Sequence, residues 1–362
     1  METSLGVIWV AEFFIEYGLF AAKMLTFILV MILGIGFLIT LAAAKSNKSR
    51  ENLEVENIND KLEDFTDIME SEILSKEEYK AIQKDQKKQA RQERKERKKR
   101  LKKGEEEPYK PRLFMIRFDG DMHASEVENL RESITAILGI AKSTDEVLII
   151  LDSSGGVVHN YGLAASQLVR IKQKKIKLTV AVDLVAASGG YMMACVADQI
   201  IAAPFAVLGS IGVLAEVPNF HGLLQKHNVD IEHHTAGEFK TTLTMLAKNT
   251  EKGREKFQEE LEDIHALFKD FVVTNRPQLD INKIATGEVW YGSKALEVGL
   301  IDVIKTSDDY IVEKSANADI FEISVQVHEN FKDKLSALLY KSSSTAFEKL
   351  WYKISHRFNF IS

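Results

Sequence analysis

From Leu113 onward, continuous apolar runs alternate with stretches of helical period. Leu113–Phe118, Glu146–Leu151 and Lys177–Val182 are the runs, and helices are expected between them near Ser125–Ala141 and Tyr161–Lys174. Strands that are apolar at successive positions, not at every second one, belong in a sheet covered on both faces, so this rhythm predicts an α/β fold. Strand-like pieces continue at Gln199–Ala203, Val207–Val217 and Asp230–His234. A long amphipathic helix follows at Glu251–Val273, with Phe257, Leu261, Ile264, Leu267, Phe268 and Phe271 on the face expected to pack. Residues 319–327 alternate like an edge strand, and Phe331–Phe358 mixes Leu, Trp and Phe with Lys and Arg in an amphipathic tail.

Upstream the pattern is different. Met24–Ala44 is a run of 21 residues without a charge, long enough as a helix to span the roughly 30 Å hydrocarbon core of a bilayer. A cleaved leader would open on positive charge, whereas this one carries Glu2, Glu12 and Glu16. Residues 1–44 are therefore expected to be a membrane anchor, and residues 45–110 a charged, helix-prone tether that stops at Pro108 and Pro111. Residues 111–310 would form the main α/β domain, and 311–362 the terminal strand and tail. Lys45, Lys48 and Arg50 follow the span against Lys23 before it, a bias that places the domain on the cytoplasmic side.

The net charge of −6 conceals an acidic stretch over 51–78 and a basic one over Lys84–Lys103, with twelve Lys or Arg against three acids. No aromatic is interleaved there to stack on bases, which disfavours nucleic acid and leaves a solvated tether or an anionic lipid surface. A single cysteine, Cys195, excludes a disulfide framework within the chain, and its apolar neighbours mark it as a small core residue.

Candidate chemistry lies at the ends of the predicted strands. Val147–Leu151 leads into Asp152-Ser153-Ser154-Gly155-Gly156, and Leu178–Val182 leads toward Ala186-Ala187-Ser188-Gly189-Gly190-Tyr191. Ser188, between small residues at a turn entering a helix, is placed to be an exposed nucleophile. Paired glycines bring bare N–H groups close to a bound carbonyl, so the amides of Gly156 and Gly189 are the candidate oxyanion hole. Lys240, in Gly237-Glu238-Phe239-Lys240, is the candidate general base. An amine near the reference value of about 10.4 is protonated at neutral pH and cannot accept a proton, so this role demands surroundings that disfavour the ammonium. Phe239, Leu243, Met245 and Leu246 are the expected walls, Glu238 is expected to face away, and Ser210 in Gly209-Ser210-Ile211-Gly212 is placed to orient the amine. His159, His233 and His234 are rival bases, but no acid is marked out to orient a ring, and adjacent histidines on a strand would face opposite ways.

These motifs, with Gly292-Ser-Lys-Ala-Leu-Glu-Val-Gly-Leu-Ile-Asp302, resemble those of the S49 serine peptidases of the signal peptide peptidase A type, from the span to about residue 310. The resemblance implies a ClpP/crotonase-like fold of repeated β-β-α units, with Ser188 as nucleophile, Lys240 as base and Ser210 as the hydroxyl that positions the lysine. It further implies a homo-oligomer whose neighbouring subunits shape one active site, a bacterial inner-membrane location, peptide or signal-peptide substrates, and no metal or organic cofactor. Ser154 stands where the family usually has proline, which bears on the stiffness of the glycine turn. A crotonase-like enzyme of acyl-CoA and a non-catalytic membrane scaffold are the competing functions.

Overall fold

The computed structural model describes residues 17–20, 23, 24, 26, 27, 31, 51–104 and 109–327. One compact unit runs from Leu53 to Val325; Met1–Asn52 and Gln326–Ser362 make up the other. In chain order the elements are β1 (Glu51–Asn57), α1 (Ile58–Ile73), α2 (Lys76–Lys102), β2 (Arg112–Gly120), α3 (Val127–Ile140), β3 (Glu146–Ser153), α4 (Val158–Gln173), β4 (Lys177–Val182), β5 (Val185–Ala187), α5 (Gly189–Ala194), β6 (Gln199–Ala202) and β7 (Val207–Gly209). They continue as α6 (His221–Lys226), α7 (Glu251–Asn275), α8 (Ile281–Ile284), β8 (Val289–Tyr291), α9 (Gly292–Glu297), β9 (Val303–Ile304), α10 (Ser307–Ser315) and β10 (Asp319–Val327).

The strands form a mixed α/β sheet of ten strands in the order β1-β10-β2-β3-β4-β6-β9, with β5, β7 and β8 branching from the end of β3. Alternate side chains of the central strands divide between two buried faces. Phe114, Ile116, Val147, Ile149, Leu151, Leu178 and Val180 pack with α3, α4 and α5. Leu113, Met115, Leu148, Ile150 and Ala181 pack with Ile58 of α1 and with Tyr310 and Ile311 of α10. Burial on both sides is why these strands read as unbroken apolar runs. The second face carries one buried acid, Glu146. Burial alone would raise its carboxyl, but hydrogen bonds from Lys314 (2.7 Å), Thr179 (2.6 Å) and Tyr310, with the charge of Lys177 at 3.1 Å, hold it below the usual range.

Several elements depart from the sequence expectation. Residues 319–327 do not form an edge, because β1 covers β10 on its outer side. The compact unit begins at Leu53, so most of β1 and all of α1 belong to it. Asn59 fastens α1 there: its amide donates to the carbonyls of Ser315 (3.2 Å) and Ala318 (3.1 Å), and its oxygen accepts from Ile320 N–H (2.7 Å). The strand expected over Val207–Val217 ends at Gly209, where φ of +97° at Gly209 and +49° at Ser210 turn the chain out of the sheet. Asp230–His234 is exposed and irregular, and it pairs with no strand among the described residues. On α7, Phe268 and Val272 are buried, whereas Leu267 of the expected packing face is exposed. Among the described residues no helix is long and apolar enough to cross a membrane. The run 24–44 lies outside them except at 24, 26, 27 and 31, and so does the 331–358 tail.

The motif that ends at Asp302 is a structural clamp. Asp302 accepts from Ile200 N–H (2.7 Å) and takes two hydrogen bonds from Arg276 (2.7 and 2.9 Å), which also donates to the Gly299 carbonyl. The Arg276 side chain is 4% exposed and that of Asp302 is 32% exposed, so only part of the pair's strength is protected from water. Arg276→Leu is expected to lower stability by about 3 kcal/mol, the low end for breaking a buried pair. Urea unfolding of the purified variant measures it.

Candidate active site

Register brings the ends of three strands together. Ser153 of β3 pairs with Ala186 of β5, and Ala187 pairs with Gly209 of β7, all in parallel. The turns that leave them carry Gly155-Gly156, Ser188 and Ser210, so these groups emerge side by side at one end of the branch. Ser188 and Ser210 directly follow the paired residues Ala187 and Gly209.

Ser188 occupies φ +51° and ψ −117°, a region that side-chain-bearing residues rarely adopt and that costs about 1–3 kcal/mol. Hydrogen bonds hold it there: its N–H donates to Gly209 O (2.8 Å) and its carbonyl accepts from Met192 N–H (2.9 Å). The side chain is partly buried, and its hydroxyl has no hydrogen-bond partner among the described residues. Behind it, α5 sinks into the core. Tyr191 is fully buried and donates to Leu300 O (2.9 Å). Cys195 is also fully buried, its thiol pushed up to about 12 by burial, so it is a core residue as its apolar neighbours predict.

The glycine turn after β3 lies against this serine. A Cβ on Gly155, where φ is +86°, would stand 2.6 Å from Gly189 N and 2.8 Å from Ser188 Cβ; one on Gly156 would stand 2.1 Å from Met122 O. Only glycines permit so close an approach. The amides of Gly156 and Gly189 have no acceptor among the described residues, whereas that of Ser188 is already used. Tyr161 braces the turn in a way the sequence does not mark. Its hydroxyl donates to Asp121 O (2.6 Å) and shares a 2.6 Å hydrogen bond with Ser153, whose Oγ accepts from Gly155 N–H (3.1 Å). A Cβ on Gly189 would strike the Tyr161 ring at 2.4 Å, which accounts for the glycine after the serine. Ser154 is exposed, and Val157 N–H closes the turn onto Met122 O (2.9 Å).

Ser210 N–H donates to Glu288 O (2.6 Å), and its hydroxyl, like that of Ser188, has no partner among the described residues. Lys240 lies elsewhere in character. It belongs to an excursion between β7 and α7 whose base is tied by Phe220 N–H to Met245 O (2.7 Å) and by the Asn219 amide to Thr244 O (2.9 Å) and Ala247 O (3.1 Å). Glu238 turns to Lys252, while Phe239 lies beneath the cations of Lys252 and Lys256. Lys240 itself is exposed and makes no side-chain hydrogen bond to Ser188 or Ser210 among the described residues, and Phe239, Met245 and Leu246 beside it in sequence are exposed as well. The excursion leaves Phe220, Leu223, Phe239, Met245 and Leu246 exposed, and Leu214 82% exposed. His159, His233 and His234 are exposed, His234 being paired with Glu232 at 3.1 Å. No metal-holding group of His, Cys, Asp or Glu forms among the described residues.

Two family profiles match the chain: Peptidase family S49 N-terminal over residues 12–168 and Peptidase family S49 over residues 170–320. The chain is 50% identical over 345 residues to "Probable protease SohB" of Haemophilus influenzae, with 95% of each chain covered. It is 28% identical over 213 residues to a protein of Enterococcus faecium that carries the name signal peptide peptidase SppA, with 58% of each covered. A solved membrane-bound stomatin-specific protease in complex with a substrate peptide aligns with a TM-score of 0.40 and 15% identity, covering 64% of this chain and 99% of that one.

Proposed function

Because the chain belongs to peptidase family S49, we propose that it is a membrane-anchored serine endopeptidase in which Ser188 is the nucleophile and Lys240 of a neighbouring copy is the general base. The observation that carries the serine's part is its position: a hydroxyl on a strained turn packed against Gly155, with the amides of the next residue, Gly156, and of Gly189 left without an acceptor among the described residues. What supports a second copy is the excursion that bears Lys240. An exposed lysine among exposed Phe, Leu and Met side chains is a surface suited to burial against another protein. Docked there, the apolar side chains would exclude water around the amine and disfavour its charged form.

The chemistry then runs in two halves. Neutral Lys240 takes the proton of Ser188 as its oxygen attacks a peptide carbonyl, and the amides of Gly156 and Gly189 bind the oxyanion. The lysinium returns the proton to the leaving amine, and water attacks the acyl-enzyme by the same route. Ser210, one strand over from Ser188, hydrogen-bonds the amine and fixes its direction. Substrates on this reading are peptides or signal-peptide-like apolar segments. The apolar run 24–44 anchors the enzyme in a bacterial inner membrane, with Lys45, Lys48 and Arg50 favouring a cytoplasmic domain.

A fluorophosphonate probe tests this reading: it should label the wild-type chain at Ser188 and leave Ser188→Ala unlabelled. An acyl-CoA enzyme of similar fold, or a scaffold without catalysis, would not be labelled at that serine. The glycine turn offers a second test. Gly155→Ala puts a side chain at a positive φ and against Gly189 N, so turnover should fall by about 100-fold or more. Gly162→Ala, where a Cβ meets nothing within 4 Å, should leave turnover unchanged.

A further inference from the structure

Helix α2 carries a charge pattern that the peptidase reading does not use. Viewed down its axis at 3.6 residues per turn, Lys80, Lys84, Lys87, Lys88, Arg91, Arg94, Lys95, Lys98, Lys99 and Lys102 fall within an arc of roughly 140°. Over residues 80–102 the only other residue in that arc is Ala81, and no acid enters it. Asp85 and Glu96 lie on the other side. All ten cations are exposed, and none makes an ion pair among the described residues. The stripe extends for roughly 33 Å along the helix at 1.5 Å per residue.

A helix that merely needs solvation is equally served by mixed charge, and mixed charge would add favourable pairs one turn apart. Ten cations on one side instead repel one another unless something negative faces them. We propose that the basic stripe of α2 lies along an anionic bilayer surface, its lysines and arginines among the lipid phosphates. Three observations favour lipid. The facing surface must extend about as far as the stripe does, and a bilayer does. The arc holds no aromatic or large apolar side chain, so the helix can adsorb by charge without inserting, and it lacks the stacking groups a single strand of nucleic acid would use. The stripe also begins 36 residues after Ala44, at the end of the apolar run, so a chain anchored by that run keeps α2 within reach of the headgroups.

The full-length protein, reconstituted into phosphatidylcholine vesicles and into vesicles that also contain phosphatidylglycerol, tests this directly. Single cysteines at Arg91→Cys in the stripe and Glu96→Cys across the helix are reacted with a membrane-impermeant maleimide; the native Cys195 is buried and silent. Labelling at residue 91 should slow about five-fold or more with phosphatidylglycerol and recover in 1 M salt, where the screening length shrinks to about 3 Å, while residue 96 is unaffected. Equal labelling at residue 91 in both lipids would overturn the proposal, as would protection produced by a DNA duplex and not by the anionic vesicles. Flotation with the phosphatidylcholine vesicles reports on the anchor and peptide hydrolysis on the active site, so failure of either is distinct from failure of the stripe.

Discussion

Ser188→Ala is expected to abolish peptide hydrolysis, with kcat falling about 10⁴-fold or more, while the unfolding midpoint barely moves. On the proposed mechanism, loss of the hydroxyl removes the atom that forms the acyl-enzyme, so no other group carries the first half-reaction. Alanine keeps the Cβ and with it the same backbone strain at φ +51°, and the hydroxyl makes no hydrogen bond among the described residues that stability would miss. Turnover of a fluorogenic peptide, beside thermal unfolding of the same samples, separates lost chemistry from a damaged fold. Residual hydrolysis near the wild-type rate would assign the nucleophile elsewhere.

Lys240→Ala should be nearly as severe. Positioned general bases contribute about 10²–10⁴-fold, and on the proposed reading Lys240 also supplies the proton for the leaving amine. Lys240→Arg should fail as completely, because a guanidinium stays protonated at any pH the protein survives and cannot act as a base. Stability should change little in either variant, since the side chain is exposed in the single chain and makes no ion pair among the described residues. The measurement is kcat for both variants at neutral pH. A Lys240→Arg enzyme that keeps most of its activity would show that charge, not proton transfer, is what the position supplies.

The sheet's centre was legible because β2, β3 and β4 are buried on both faces, and residues buried on both faces leave an unbroken apolar run. β10 was harder. The strand that covers it, β1, is Glu51–Asn57, where Leu53 and Val55 alternate with glutamates inside an acidic stretch, and nothing local says that it pairs with a segment more than 260 residues away. The glycine turn and Ser188 stand out in the sequence because small residues cluster at predicted strand ends, and the structure packs the two turns together. Their bracing does not stand out: Tyr161 reads as part of a helix, and only the packing of α4 under α5 puts its ring against Gly189 and its hydroxyl on Ser153. Lys240 stands out by its motif, but the walls expected around it are not supplied by its own segment. Phe239 is occupied with Lys252 and Lys256, and Met245 and Leu246 face outward. Pattern along a chain carries the contacts a segment makes with itself and the sheet; it does not carry contacts across an interface.

Co-expression of Ser188→Ala with Lys240→Ala asks most directly whether one copy's lysine serves another copy's serine. Each variant alone should be inactive. Mixed assemblies place an intact Ser188 opposite an intact Lys240 at roughly one junction in four for random head-to-tail assortment, so activity should return to about a quarter of the wild-type value. Activity no greater than that of the two variants assayed separately would contradict a pair shared between protomers.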